Sequence, residues 1–270
     1  MLKINFTKII NFSAVLFLVF LIPVSVYAEE DMAEAERQAE EKNATSSGST
    51  VLIDISTLSA DQAIAEYNQS GTGDRKIEAL KQAAKKYIES RLATLEALKS
   101  VIEAANIESA KKNVLSVEVQ NRISAINRLQ EEIQNQGEID QIKSRIRLIF
   151  SENKIYSIFA PKIRGEIAVA RLSSIAGKIE DLKPKINSLL LEKKNAGVDI
   201  TSGQSALLEI ESQLKIINDS LRIANDRFSA ITLTNTTAAK IYISDGREAL
   251  IKAKNALGEI NKSLAVINNL

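Results

Sequence analysis

Apolar residues recur at spacings of three and four through most of this chain, and the spacing predicts α-helix from about residue 74 to the carboxyl end. The most regular stretch is Leu207, Ile210, Leu214, Ile217, Leu221, Ala224, Phe228 and Ile231, which alternates three and four without a miss, as a coiled-coil type seam does. Ala168, Leu172, Ile175, Ile179, Leu182, Ile186 and Leu189 form a second seam. Leu250, Ala253, Leu257, Ile260, Leu264 and Ile267 form a third. Successive helices of about 30 residues, each about 45 Å long, are expected to fold back on one another as antiparallel neighbours when their connections are short.

The connections carry matching punctuation. Asn195-Ala196-Gly197 offers a left-handed helix end, and Thr201 followed by Gln204 predicts a capping box for the next helix. Thr232 to Thr237, rich in β-branched hydroxyl residues, marks the turn after that. Pro184 falls inside a seam, where it removes a hydrogen bond to the Glu180 carbonyl and should bend the rod locally.

The amino-terminal half is helical with broader stripes. Ile77, Leu80, Ala84, Tyr87, Ile88, Leu92, Leu95, Leu98 and Ile102 drift around one helix, a pattern suited to a globular bundle face. After a turn near Asn106, Leu115, Val119, Ile123, Ile126, Leu129 and Ile133 continue the pattern until Asn135-Gln136-Gly137 stops it. Ile139, Ile142, Ile146 and Ile149 open a third helix that weakens at Ser151-Glu152-Asn153. The expected fold class is all-α: an elongated antiparallel helical bundle with heptad seams and about five to six helices, irregular over 74–150 and built from three long helices over 160–270.

The first 73 residues read differently. Lys3 and Lys8 precede an apolar run from Ala14 to Ile22, and Val26-Tyr27-Ala28 suits a signal peptidase, so residues 1–28 are expected to be an export signal cleaved after Ala28. The run is too short for a spanning helix, which needs roughly 20 apolar residues. Residues 29–73 read as a leader, acidic at first and then rich in Ser, Thr and Gly, with too little apolar surface to order itself. Within it, Val51 to Leu58 alternates weakly like a strand without a partner, and Asp61 to Asn68 has the makings of one or two helical turns. Asp74 is the expected N-cap of the body.

Charge and composition then narrow the function. Loss of Lys3 and Lys8 with the signal turns the formal charge of +1 into −1, and no long Lys/Arg run supplies the concentrated positive field that nucleic-acid binding needs. The chain has no histidine and no cysteine, which excludes His-based triads, thiol nucleophiles, disulfides and zinc sites of the usual ligands. Paired acids such as Glu131-Glu132 and Glu180-Asp181 sit at adjacent helical positions, about 100° apart, and read as solvated faces. Gly71-Thr72-Gly73-Asp74-Arg75 lacks the Lys-Ser/Thr ending of a phosphate loop, and Asp245-Gly246 lacks the further acids of a calcium loop. No catalytic, cofactor-binding or metal residue is therefore expected.

What remains is an aromatic concentration. Phe150, Tyr156 and Phe159 lie within ten residues, just before Pro161, and are expected to form a structural or interaction hub with Pro161 and Arg171. Lys143, Arg145, Arg147 and Lys154 surround it with positive charge, read chiefly as a solvated face.

The run Ile155-Tyr156-Ser157-Ile158-Phe159-Ala160-Pro161-Lys162, continued by Ile167-Ala168-Val169-Ala170-Arg171-Leu172, resembles the central signature of a family of uncharacterised, exported, all-helical bacterial proteins. The resemblance extends from about Tyr87 to Leu270 and includes Ala196-Gly197-Val198-Asp199-Ile200-Thr201, similar to the family's Ala-Gly-Lys-Asp-Val-Thr turn. Ala170 departs from the pattern, standing where the family commonly has an acid beside Arg171. The resemblance implies architecture and export and no chemistry.

The expected function is that of a non-enzymatic exported scaffold or protein-interaction module of the cell envelope or secreted fraction, with a protein partner. The alternative is a peripheral bundle that opens amphipathic helices onto a membrane surface. The Leu/Ile seams suit pairing within one chain and between chains alike, so they do not fix the oligomeric state.

Overall fold

The computed structural model describes residues 60–151 and 154–270; the expected signal and most of the expected leader lie outside the described residues. Every element described is helical. In chain order they are α1 (Ala60–Gln69), α2 (Gly73–Ala104), α3 (Ser109–Gln134), α4 (Ile139–Ser151), a π-helical turn (Ile155–Phe159), α5 (Ala160–Asn195), α6 (Thr201–Ser229) and α7 (Thr236–Asn268). Among the described residues the bundle body has six α-helices, α2 to α7, as expected, and the one or two helical turns expected near Asp61 form the ten-residue α1 ahead of it. No helix among them is long and apolar enough to cross a membrane.

The helical body starts ahead of Asp74. Ala63 on α1 is buried against Ala79 and Ala83 of α2, and small side chains let the two backbones approach. Glu66 on α1 then pairs with Arg75 on α2, which closes the Gly71–Thr72 turn. Thr72, not Asp74, is the N-cap of α2, and its side chain makes no capping hydrogen bond. Asp74 instead sits in the first turn, where its carboxylate faces the positive end of the helix dipole.

The seam residues of α3, α6 and α7 enter the core almost without exception. Leu115, Val119, Ile123, Ile126, Leu129 and Ile133 are all buried on α3. Ile210, Leu214, Ile217, Leu221, Ala224 and Phe228 are buried on α6, and Ala253, Leu257, Ile260, Leu264 and Ile267 on α7. On α5 the buried stripe drifts. Ile179 and Ile186 follow the expected seam, but Leu190 is buried where Leu189 was expected. A straight helix turns 3.6 residues per turn and slips against a strict 3.5 repeat, so the buried stripe moves round by a position over several turns. The helix continues unbroken through Pro184, and Ser188 Oγ donates to the Pro184 carbonyl at 3.0 Å.

Three glycines fix the direction of the long helices. Gly165 near the start of α5 and Gly246 near the start of α7 both face Phe228 at the end of α6. At the other end, Gly203 at the start of α6 faces Leu190 of α5 and Leu270. The order is therefore up, down, up, as short connections require. One core gathers α2, α3 and α4 with the first two turns of α5, through Ile163 and Ile167. A second gathers the rest of α5 with α6 and α7. Helix α5 thus contributes to both cores.

The connections resolve the expected caps. Val198 N donates to the Lys193 carbonyl at 3.1 Å and Gly197 N to the Lys194 carbonyl at 3.0 Å, with Gly197 at φ +86°, which makes the left-handed end expected there a Schellman motif. The capping box does not form. Thr201 donates both its backbone N–H, at 2.9 Å, and its hydroxyl, at 2.7 Å, to Asp199 Oδ1. An ionised carboxylate is a stronger acceptor than a hydroxyl at a helix N-terminus, so Asp199 takes the role predicted for Thr201. Asn235 caps α7, its side chain accepting from Ala238 N at 3.0 Å.

Candidate functional site

Helix α4 ends at Ser151, and the chain resumes at Lys154 in the left-handed conformation, φ 39° and ψ 43°, before the π-helical turn. Lys154 is anchored from the far half of the molecule. Its Nζ donates to the Leu233 carbonyl at 2.7 Å and to Thr236 Oγ1 at 2.6 Å, both in the α6–α7 connection. In the π turn Ala160 N reaches back to the Ile155 carbonyl, and Pro161 follows in the first turn of α5, where its missing N–H costs nothing. The break and the wider turn set Phe150 and Tyr156 on one side and bury Phe159 on the other.

The expected hub therefore divides. Phe150 and Tyr156 join Tyr87 of α2 around the guanidinium of Arg91, whose Cζ lies 4.3 Å from the Phe150 ring centre, 5.3 Å from that of Tyr156 and 5.9 Å from that of Tyr87. Tyr87 and Phe150 meet edge to face at 5.0 Å and 75°. Arg91 is only 4% exposed, and its Nη1 donates to the Tyr87 carbonyl at 3.1 Å. Tyr156 OH and Ser90 Oγ share a hydrogen bond of 2.8 Å. A planar cation within reach of three aromatic rings is well held, because the rings' negative faces attract it where burial has removed water.

Phe159 belongs to the core of the first half, with Arg122 of α3 at 5.3 Å from its ring centre. Burial pushes the Arg122 guanidinium below its ordinary value, with the Glu118 carboxylate opposing. Arg171 lies half-buried further along α5, and the cations against the hub's rings are Arg91 and Arg122. Neither was singled out from the sequence. The only signal for Arg91 was its place between Ile88 and Leu95 on the apolar stripe of α2, where a charged residue interrupts the pattern.

Beside Phe159 runs a ladder of charges between α3 and α5. Glu166, 6% exposed, accepts from Lys111 at 2.5 Å and lies 3.2 Å from Lys162, which also pairs with Glu118. Lysines long enough to span two helices neutralise a carboxylate that burial would otherwise penalise. Of the basic residues expected around the hub, Lys143 lies over the Tyr67 ring at 4.9 Å, Arg145 pairs with Glu132 at 3.2 Å, and Arg147 is exposed. Lys183 pairs with Glu180 at 3.0 Å, which raises its affinity for the proton above the ordinary lysine value. Among the described residues there is no group of three or more acids that could hold a metal ion.

A second feature lies on the carboxyl-terminal half. Lys183, Pro184 and Asn187 of α5 face Gln204, Leu207, Leu208 and Glu211 of α6 across a shallow groove of about 660 Å³. Leu208 on its wall is 67% exposed, and Leu191, one turn beyond Asn187, is 60% exposed.

These elements define the class of the protein: an all-α helical bundle with a buried arginine set against three aromatic rings. No family model, no curated protein and no solved structure matches the chain.

Proposed function

We propose that this protein is a non-enzymatic, exported helical scaffold that presents the faces of its long helices to a protein partner. The observation that carries the reading is the pair of large aliphatic side chains, Leu191 and Leu208, held open to solvent beside the α5–α6 groove. Isolated exposed aliphatics are ordinary, but an exposed leucine on the wall of a groove, with a second exposed leucine one turn of α5 beyond the lining residue Asn187, offers the anchors that helix-in-groove recognition uses. Lys183 and Glu211, 3.5 Å apart at the same groove, supply a polar rim of both signs.

The export part of the reading rests on the charged and apolar pattern of residues 1–28. Its non-enzymatic part rests on the residue types that the chain lacks, since neither imidazole nor thiol is available.

In-cell crosslinking followed by capture of the native protein tests the proposal. A reproducible protein partner should appear with the natural chain and fall away when Leu191 and Leu208 are both changed to Asp. Recovery of the same partner by the double variant would overturn it. So would cosedimentation of the purified protein with anionic liposomes in place of protein capture, the outcome a membrane-opening bundle would give.

A further inference from the structure

Of the ten residues of α1 only Ala63 is fully buried, against Ala79 and Ala83 of α2, while Ile64 and Tyr67 rest half-buried on the same cluster. A helix this short is marginal in water by itself, because nucleation costs more than so few turns return. Its contact with the body is therefore what keeps α1 helical. An element that buries so few side chains belongs to the low-stability end of a structure and can open while the rest stays folded.

The link between α1 and α2 has the composition of a hinge. Gly71 and Gly73 flank Thr72, and neither glycine takes the left-handed conformation. A Cβ built on either would meet nothing within 4 Å. Neither backbone geometry nor close packing thus requires glycine at these two positions, and what glycine supplies there is rotational freedom. The Thr72 side chain makes no capping hydrogen bond that would fix the turn.

An ion pair bridges this link. Glu66 of α1 accepts from Arg75 of α2, and Ser70 Oγ, which donates to the Glu66 carbonyl at 2.7 Å, also lies 3.1 Å from the Glu66 carboxylate and steadies it. Arg75 Nη2 is buried without a hydrogen bond, so the carboxylate is what compensates the guanidinium for its lost water. The neighbouring Tyr67 ring has Lys76 of α2 at 5.6 Å and Lys143 of α4 at 4.9 Å from its centre. Once Glu66 is neutral, Arg75 is better solvated with α1 swung away than with α1 in place.

We infer that α1 is a hinged strap: it swings off α2 about Gly71-Thr72-Gly73 while the body stays folded, and the Glu66–Arg75 pair is the latch that holds it shut. Opening uncovers Ala79 and Ala83, which are fully buried when the strap is closed.

The chain has no cysteine, so a single introduced thiol reports opening at its own position. Full-length protein carrying Ala63→Cys is compared with Ala253→Cys in the α6–α7 core, two positions equally buried, by the rate of reaction with a disulfide reagent at about pH 8. The Ala63→Cys thiol should react at least roughly tenfold faster, and its rate should stay flat in denaturant below the unfolding transition, because opening the strap exposes little surface. Adding Glu66→Gln should speed it about fivefold. Adding Gly71→Ala and Gly73→Ala should slow it about two- to fivefold, since alanine restricts the open link and fits the closed one. Equal rates at the two thiols would mean that α1 opens only when the whole bundle unfolds, and a rate indifferent to Glu66→Gln would mean that the pair is no latch; either result overturns the inference. Hydrogen exchange on the natural chain guards against a strap displaced by the new thiol. Amides of α1 should exchange at least roughly tenfold faster than those of α6 after correction for intrinsic rates, and equal protection also overturns it.

Discussion

Gly165 and Phe228 occupy adjoining space: a Cβ on Gly165 would clash with the Cε1, Cζ and Cδ1 atoms of the Phe228 ring, and one on Gly246 would lie 2.8 Å from its Cζ. The ring is the end stop of the three-helix half, filling the gap where α5 and α7 begin and α6 ends. Gly165→Ala is expected to destabilise the protein by about 1 to 3 kcal/mol, the usual cost of overpacking. Phe228→Leu in the same background should recover part of that loss, and a double-mutant cycle from denaturant melts measures it. Additive effects would mean that the contact is not the cause.

Gly177 is the opposite case, since nothing lies within 4 Å of a Cβ built there. Gly177→Ala should stabilise by about 0.5 to 1 kcal/mol, because an exposed helix interior gains from the restriction of the unfolded chain. Gly197, at φ +86°, should lose about 1 to 2 kcal/mol on the same substitution, since a side chain resists the left-handed conformation. Thermal melts of the two variants should shift in opposite directions.

The cage around Arg91 predicts that lysine is a poor replacement. Arg91→Lys keeps the charge but loses the flat cation that lies against Phe150, Tyr156 and Tyr87. A loss of roughly 1 to 2 kcal/mol is expected, read from the denaturation midpoint. A variant as stable as the natural protein would show that the rings pack without needing the guanidinium.

Glu66 ties α1 to α2 and gives that contact a pH dependence. The Arg75 side chain, chiefly, and the Ser70 hydroxyl hold its carboxyl below the ordinary glutamate value, against a smaller effect of burial. A carboxyl with a lowered folded-state pKa contributes stability that is complete above its unfolded value of about 4.3 and disappears as pH falls through the lower folded value. The natural protein should therefore exceed Glu66→Gln in stability by on the order of 1 kcal/mol at neutral pH. The two should converge once the pH falls below the lowered folded-state value. Melts across pH 3 to 7 that stay parallel would remove Glu66 from the account.

Burial of Glu166 between Lys111 and Lys162 makes it the most consequential single charge in the α3–α5 contact. Glu166→Ala takes one partner from Lys162, which keeps Glu118, and leaves the partly exposed Lys111 without its carboxylate; it should cost about 1 to 3 kcal/mol. Replacing Lys111 by Met in the Glu166→Ala background should return part of that cost. A Glu166→Ala protein with an unchanged midpoint would contradict the burial that the structure assigns to it.

The periodicity of apolar residues was enough to specify most of what α3, α6 and α7 bury, because a side chain's place on a helix follows from its position in the sequence alone; on α5 the stripe drifted from the expected seam. Leu115 to Ile133, Ile210 to Phe228 and Ala253 to Ile267 are read correctly for that reason. The Gly197 turn was equally legible, since its left-handed geometry is a local property of the backbone. What the pattern could not reach are relations between residues distant in the chain. The helical turns of α1 were expected from Asp61 to Asn68, but the packing of Ala63 on Ala79 and Ala83, which joins α1 to the body, left no trace in a polar ten-residue segment. The division of the hub, with Phe150 and Tyr156 around Arg91 and Phe159 against Arg122, depends on a left-handed Lys154 and a π turn. The pairing of Gly165 with Phe228 across 63 positions exists only once α5 and α6 lie side by side. Local spacing decides which face of a helix avoids water, whereas the choice of neighbour depends on how whole faces fit, and that is settled only when all of them pack at once.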